Sequence, residues 1–314
     1  MVALDALYRQ LWRCQRRLPR SISRSLYKRM ARRGIAPDHP FVTDFYGVNY
    51  EGMLSNNIDF NVYYYGAFEK HVLHFLGDTL KAVAPEKGVF IDIGANVGQH
   101  SLYMQRLAGT VIAFEPWQPV RARFERQIAA NGIGNIEVQP LGVSNDNSRL
   151  PFYAPSGSNA GVGSFDASSV DKGNLPAGEL ELVRGDDFFA ARPELKIDLI
   201  KIDVEGFEKF ALQGLQVTLA KNRPVVICEL TYGTPLSFRS LAALQEIFPP
   251  EYRLFTFDTR KADGSKARRR EARTRVTGAY RLVPFERLLA SGQDDIIACP
   301  LELLDTLPMS HPGV

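Results

Sequence analysis

The residues best suited to chemistry begin with Asp92-Ile93-Gly94-Ala95-Asn96-Val97-Gly98, an acid followed by a GxNxG spacing. The run lies between an apolar strand-like segment and helical text. Glycines at such a turn let backbone approach a ligand closely, and open α/β sheets bind ligands at the carboxyl ends of their strands. The spacing is not the GxGxxG of a dinucleotide site. A pyrophosphate wants a bare helix N-terminus, whereas an acid at the strand end suits a ligand with a cationic amino acid portion. Glu115 ends the next apolar run, 21 residues after Gly94. An acid at that place accepts hydrogen bonds from two ribose hydroxyls. A nucleoside with a positively charged amino acid tail is S-adenosylmethionine. The two acids favour it over NADP, whose extra phosphate they would repel.

A second group is Lys201-Ile202-Asp203-Val204-Glu205-Gly206. In an extended strand, Lys201, Asp203 and Glu205 fall on one side. Lys201 can pair with one acid. Two carboxylates beside a sulfonium favour its charge, and one can accept the proton of an attacking hydroxyl. Asp203, nearer the strand end, is preferred over Glu205 as that base. His100, just after the Gly turn, is another candidate, or merely a helix residue near the site. Glu229 ends a further strand and either faces the acceptor or lines the pocket wall. Beyond a base, methyl transfer needs only an acceptor oxygen held in line with the sulfur–methyl bond. His71-x-x-His74 beside Glu69 is a weak metal signal and reads as a solvated helix. No metal is assigned, there or among Asp203, Glu205 and Glu229. Asp186-Asp187 reads as the cap of a short helix.

The elements that must carry these residues alternate from residue 89 onward. Strands are expected at 89–93, 110–114, 136–143, 198–202, 224–230, 252–257 and 295–298, with 150–154 as an extra. Helices follow the Gly turn to 107 and span 118–130, 208–221 and 241–248. This rhythm implies right-handed βαβ units and a mainly parallel sheet covered on both faces. The Gly- and Ser-rich stretch 155–178 reads as a long binding loop or lid. Residues 1–36 read as a basic amphipathic helical arm and 37–88 as a connecting segment, β-like around 46–47 and 58–65, then helical over 67–83. Residues 89–300 form the catalytic domain, interrupted by a solvated basic excursion at 259–280, and 301–314 a tail.

The chain also resembles the FkbM-type methyltransferases over about residues 45–231. The resemblance rests on Asp59, Gly66 to Glu69, the run from Phe90 to Ser101, Ala113-Phe-Glu-Pro, Asn131 and above all Asp198-Leu-Ile-Lys-Ile-Asp-Val-Glu-Gly-Phe-Glu. It implies a class I, Rossmann-like fold with a seven-stranded, mainly parallel sheet. It also implies methyl transfer from S-adenosylmethionine, usually to a hydroxyl oxygen of a sugar, glycolipid or natural product. On this reading Asp92, Gly94, Ala95, Asn96, Gly98, Glu115, Ser144 and Asp203 bind the cofactor. Asp203, Glu205 and His100 are the catalytic candidates, and Glu229 and Glu69 face the substrate.

Charge is unevenly spread. The total is +3, yet residues 1–33 carry ten basic side chains and one acid, and residues 260–275 eight and two. The rest is therefore an acidic body of net −12. No stretch approaches the ~18 apolar residues of a membrane span, and Arg9, Arg13, Arg16 and Arg17 interrupt any signal-like run. Three widely spaced Cys without CxxC exclude a disulfide scaffold and a cysteine zinc site. A cytoplasmic enzyme is expected, with contact between residues 1–33 and an anionic membrane surface as one option and a homo-oligomer as another. Nucleic acid is the less expected partner, because Asp203-Val-Glu-Gly replaces the Asn/Asp-Pro-Pro-aromatic motif of base methylation. Ribose methylation of RNA, or a non-catalytic adaptor, are the rival functions.

Overall fold

The structure, a computed structural model, describes residues 2–155, 163–165, 170–171 and 173–314, with side chains from residue 4. The chain divides into two compact units, Met1–Phe68 and Glu69–Val314.

The smaller unit opens with α1 (Val2–Arg13) and α2 (Arg20–Arg32). Pro19, immediately before α2, lacks the N–H that a helix start leaves unpaired. Trp12, Leu26, Tyr27 and Met30 are buried, and the rings of Trp12 and Tyr27 meet at 5.1 Å. A hairpin follows, β1 (Pro40–Phe45) and β2 (Val48–Met53), turning at Tyr46-Gly47. Both turn residues have positive φ, which matches the twist of the paired strands. Residues 58–65 are not strand-like, as their Tyr, Val and Ile content predicts, but helical in α3 (Asn57–Tyr65). Local caps override β propensity there. The Asn56 side chain accepts from the Asp59 N–H, and Gly66 closes the helix in the left-handed conformation. The buried Asp59 carboxylate then holds the hairpin through Tyr50 Oη at 2.6 Å and Met53 N at 2.7 Å.

The larger unit starts with α4 (Lys70–Val83), then β3 (Val89–Ile93), α5 (Gln99–Met104), β4 (Thr110–Phe114), α6 (Gln118–Ala130) and β5 (Ile136–Gln139). A small sheet interrupts, made of β6 (Gly142–Ser144), β7 (Ser148–Ala154) and β8 (Leu175–Arg184). After α7 (Gly185–Ala190) come β9 (Ile197–Ile202), α8 (Glu208–Gln213), α9 (Gln216–Asn222), β10 (Val225–Tyr232) and α10 (Leu241–Gln245). The chain closes with β11 (Tyr252–Phe257), α11 (Arg268–Thr277), β12 (Tyr280–Pro284), β13 (Gly292–Pro300) and β14 (Ser310–His311).

The main sheet runs β14-β12-β11-β13-β10-β9-β3-β4-β5. Its centre is parallel, and β13 is antiparallel to both neighbours. The seven expected strands are present in the Rossmann-like order, and β12 and β14 extend the sheet to nine strands. Every residue of β9 is buried, as a central strand covered on both faces requires. The core gathers Ile91, Phe114, Ile200, Ile202, Leu212, Leu219 and Val226.

Four expectations change. The strand expected over 136–143 is two strands in different sheets. The helix expected over 208–221 is two helices, interrupted at Gly214-Leu215, where the Asp186 carboxylate takes the Val217 and Thr218 amides that a continuous helix would bond back along its axis. The 259–280 excursion is not merely solvated: it contains an Arg260–Lys266 bridge and α11, and Gly278 abuts the His74 ring. In the 155–178 loop, residues 156–162, 166–169 and 172 lie outside the described residues, and 175–178 already belong to β8.

Candidate active site

The Gly94 turn hangs from the tip of β4. The amides of Gly94 and Ala95 both donate to the Phe114 carbonyl at 3.0 Å. Glu115 completes the tie, accepting from Asn96 N at 2.9 Å and Trp117 N at 2.8 Å. Its carboxylate is buried, and burial pushes its pKa up to about 7 against those hydrogen bonds. Gly94, Asn96 and Gly98 all have positive φ. Gly94 and Gly98 are glycine for packing reasons as well as turn geometry. A Cβ at Gly94 would overlap the Asp203 carbonyl, and one at Gly98 the Phe124 ring.

Asp92 lies beneath this turn. Its carboxylate has no solvent exposure and accepts from Ser101 Oγ at 2.7 Å. Its Oδ1 is a buried acceptor with no hydrogen-bond partner among the described residues. Asp92 and Lys201 are register partners on β3 and β9. Burial raises the carboxyl pKa, and the nearby Lys201 ammonium opposes that.

Lys201 points out of β9 toward Asp203, Nζ to Oδ2 being 3.1 Å. Burial would discharge this lysine, but Asp203, Asp92 and Glu69 together hold its pKa above the usual ammonium value. Around it lie Glu69, Asp203, Glu205, Glu229 and Asp295, whose carboxylates act on one another. Burial first, and then mutual repulsion, pushes Glu205 up to about 8 and Asp295 to about 7, and Glu229 and Glu69 well above the ordinary value. Oxygens of Asp203, Glu205 and Glu229 lie within 4.8 Å of one another. Glu208, buried beside them, accepts from the Gly206 N–H at 2.6 Å.

Among the described residues, two of the seven non-glycine residues with positive φ, Glu69 and Glu205, belong to this basin, and Asn96 belongs to the adjoining turn. Strained backbone of this kind persists where surrounding structure enforces it, and it concentrates at functional sites.

The histidines behave differently from expectation. His74 is buried, with Nδ1 3.1 Å from the Gly278 carbonyl, so α4 is not a solvated helix. His71 Nε2 lies 3.9 Å from Asp295, and burial pulls its pKa down to about 4. His100 is buried in α5 with Nε2 3.7 Å from Glu69. Burial, with Lys201 nearby, keeps it neutral, and Nε2 has no hydrogen-bond partner among the described residues.

The sheet thus brings Asp203, Glu205, Glu229, Glu69 and His100 to one mouth. Ser144 is buried in the small sheet, and its hydroxyl bonds Asn145 and Asp146. Gln293 and Asp295 were not legible. Gln293 Nε2 lies 3.1 Å from Glu229, 3.3 Å from Thr231 and 3.4 Å from Glu205. Antiparallel pairing of Asp295 with Glu229 delivers both residues. The one local signal was Asp294-Asp295 opening an otherwise apolar strand. Beyond them, at the carboxyl end of β11, a cavity of about 340 Å³ is lined by Phe257, Lys261, Val283, Phe285, Arg287 and Asp294.

These residues suit S-adenosylmethionine. The mouth holds an excess of carboxylate over ammonium, and the orphaned Asp92 Oδ1 and the strained Gly94 turn adjoin it. Such a set favours a ligand carrying a sulfonium and an ammonium.

Residues 92–249 match the sequence profile of the methyltransferase FkbM domain. The chain is 30% identical over 166 residues to methyltransferase 1 of Beauveria bassiana, covering 46% of this chain and 66% of that protein. It is 29% identical over 180 residues to the AMB antimetabolite synthetase AmbE of Pseudomonas aeruginosa, covering 46% of this chain and 8% of that one. A crystal structure of a methyltransferase FkbM from Methylobacillus flagellatus is similar at 16% identity with a TM-score of 0.41, over 68% of this chain and 43% of that one. The chain therefore spans less than two thirds of the length of each of these relatives. With the profile matched across half of its length, the chain belongs to the FkbM methyltransferase family.

Proposed function

We propose that this protein transfers a methyl group from S-adenosylmethionine to a hydroxyl oxygen of a small acceptor, a sugar, glycolipid or natural product. The observation that supports this best is the crowd of carboxylates around the single Lys201 at the carboxyl ends of β9 and β10. When bound, the cofactor supplies an activated methyl on a sulfonium. Gly94, Ala95, Asn96 and Gly98 shape the turn that receives it, Glu115 offers free lone pairs to ribose hydroxyls, and Asp92 offers its unpartnered Oδ1. Asp203, held by Lys201, contributes fixed negative charge.

The acceptor hydroxyl must lose its proton as the new carbon–oxygen bond forms. A carboxylate whose pKa lies near the working pH is a better base than an ordinary one. That favours Glu205, pushed up to about 8 and held at φ +51, over Asp203, whose carboxylate is engaged by Lys201. His100, neutral and beside Glu69, is the second candidate. The cavity beside Asp294 is the place for the rest of the acceptor.

The first experiment is calorimetric titration of the full chain with S-adenosylmethionine and with S-adenosylhomocysteine. Binding of both supports the reading and justifies an acceptor screen. Folded protein that binds neither overturns it. With an acceptor in hand, Glu205→Gln is expected to lower kcat roughly 100-fold while leaving S-adenosylhomocysteine affinity nearly unchanged. An unchanged kcat would remove Glu205 as the base.

A further inference from the structure

We infer that the outer face of α1 and α2 is a docking surface for an anionic lipid membrane. Leu4, Leu7 and Leu11 follow i, i+3, i+7 spacing and so form one row along α1. They are 43%, 49% and 43% exposed. The row is not the packing face of that helix. Packing is done by Trp12, which meets Tyr27 and His39. Ile22, at 52% exposed, adds a further apolar side chain from α2.

The same segment carries ten basic side chains. Its one acid, Asp5, is taken up by Arg33 at 2.6 Å. The other nine make no ion pair with an acidic side chain among the described residues. A helix with an exposed leucine row and a basic remainder lies in the plane of a lipid interface, its apolar side in the acyl boundary and its cations at anionic headgroups. A polyphosphate such as RNA would use the arginines and leave the leucines in water. A second copy could match the row with its own leucines, but it would bring its ten basic side chains against the same ten. The other exposed large apolar residues, such as Val42, Leu175, Val217, Val276, Leu301 and Met309, are scattered along the chain. No helix among the described residues is long and apolar enough to cross the bilayer, so the contact is one of surface docking.

Flotation of the full-length protein with vesicles tests this. It is expected to float with equimolar phosphatidylglycerol and phosphatidylcholine, to stay behind with phosphatidylcholine alone, and to be released at high salt. Leu7→Glu with Leu11→Glu is expected to weaken partitioning at least tenfold, to the order of the lost apolar burial. Arg9→Gln with Arg13→Gln is expected to weaken it by roughly thirtyfold. Unchanged S-adenosylhomocysteine binding and an unchanged circular dichroism spectrum show that each variant is folded. Failure of the folded wild type to float overturns the inference. So does flotation that survives the paired leucine substitutions. A change confined to molar mass by light scattering overturns it in favour of self-association, and RNA binding that ignores the leucines overturns it in favour of nucleic acid.

Discussion

A carboxylate surrounded by other carboxylates releases its proton late, and at the mouth of this sheet that cost is offset by whatever cation arrives. S-adenosylmethionine carries a sulfonium and S-adenosylhomocysteine a neutral thioether, with the same amino acid and nucleoside otherwise. Their affinities are therefore expected to diverge with pH. As Asp295 and Glu205 ionise between about 7 and 8, the charged ligand gains relative to the neutral one. Calorimetry of both ligands at pH 6 to 8.5 reads this, and parallel pH profiles would refute it. Glu115→Ala is expected to weaken cofactor binding about tenfold or more and to cost stability, about 1–3 kcal/mol, because the Asn96 and Trp117 amides lose their acceptor. Ligand titration and a thermal melt separate the two effects. At this scale the acid–GxNxG turn and Glu115 were legible, because backbone geometry demands those residue types locally. Gln293 was not. It reaches Glu229 across 64 residues of sequence, through a strand pairing that leaves no local trace.

Elements are fixed by caps and close approaches as much as by apolar periodicity. Asp186 illustrates this. It lies in the first turn of α7, where a helix cap is expected of it, yet its carboxylate caps α9 instead, accepting from Val217 N, Thr218 N and Thr218 Oγ1. Asp186→Ala is expected to cost about 2 kcal/mol or more, since buried donors at a helix start are left unpaired. Denaturant unfolding measures it, and a loss below half of that would assign the capping to other groups. Gly98 and Gly132 make a second test. Both have positive φ, but a Cβ at Gly132 meets nothing while one at Gly98 strikes the Phe124 ring. Alanine at Gly132 costs about 1 kcal/mol, the left-handed backbone alone. Alanine at Gly98 adds an overpacking cost of roughly 1–3 kcal/mol. Equal losses would mean that Phe124 moves aside freely. The α3 segment shows why composition misleads. Its Tyr, Val and Ile favour a strand, and only Asn56 and Gly66 at its ends say otherwise.

On the scale of the whole molecule, charge is sorted. The basic arm belongs to the Met1–Phe68 unit, and most of the acid to the Glu69–Val314 unit. In the ligand-free protein this sets a pH dependence. Glu205, Asp295, Glu208 and Glu115 titrate higher when folded than the ordinary 3.8 to 4.5. The folded state therefore keeps protons that the unfolded chain releases, and stability falls as pH rises from about 4.5 to 8. Thermal melts across that range are expected to show a falling Tm without ligand and a flatter curve with S-adenosylmethionine. A Tm rising over the same window would refute the reading of the basin.

Gly94 touching the Asp203 carbonyl constrains how this protein can be redesigned. The Gly94 turn and the loop that carries the acids share one backbone contact, so neither can be rebuilt alone. Randomising residues there would exchange one function for the loss of another. The sheet's far side is under no such constraint. At the β11–β12 edge, Lys261, Val283 and Arg287 line an open cavity away from that contact, whereas Phe285 beside them belongs to the core. On the proposed function, new acceptors are to be sought by varying that rim and leaving the hub as it stands.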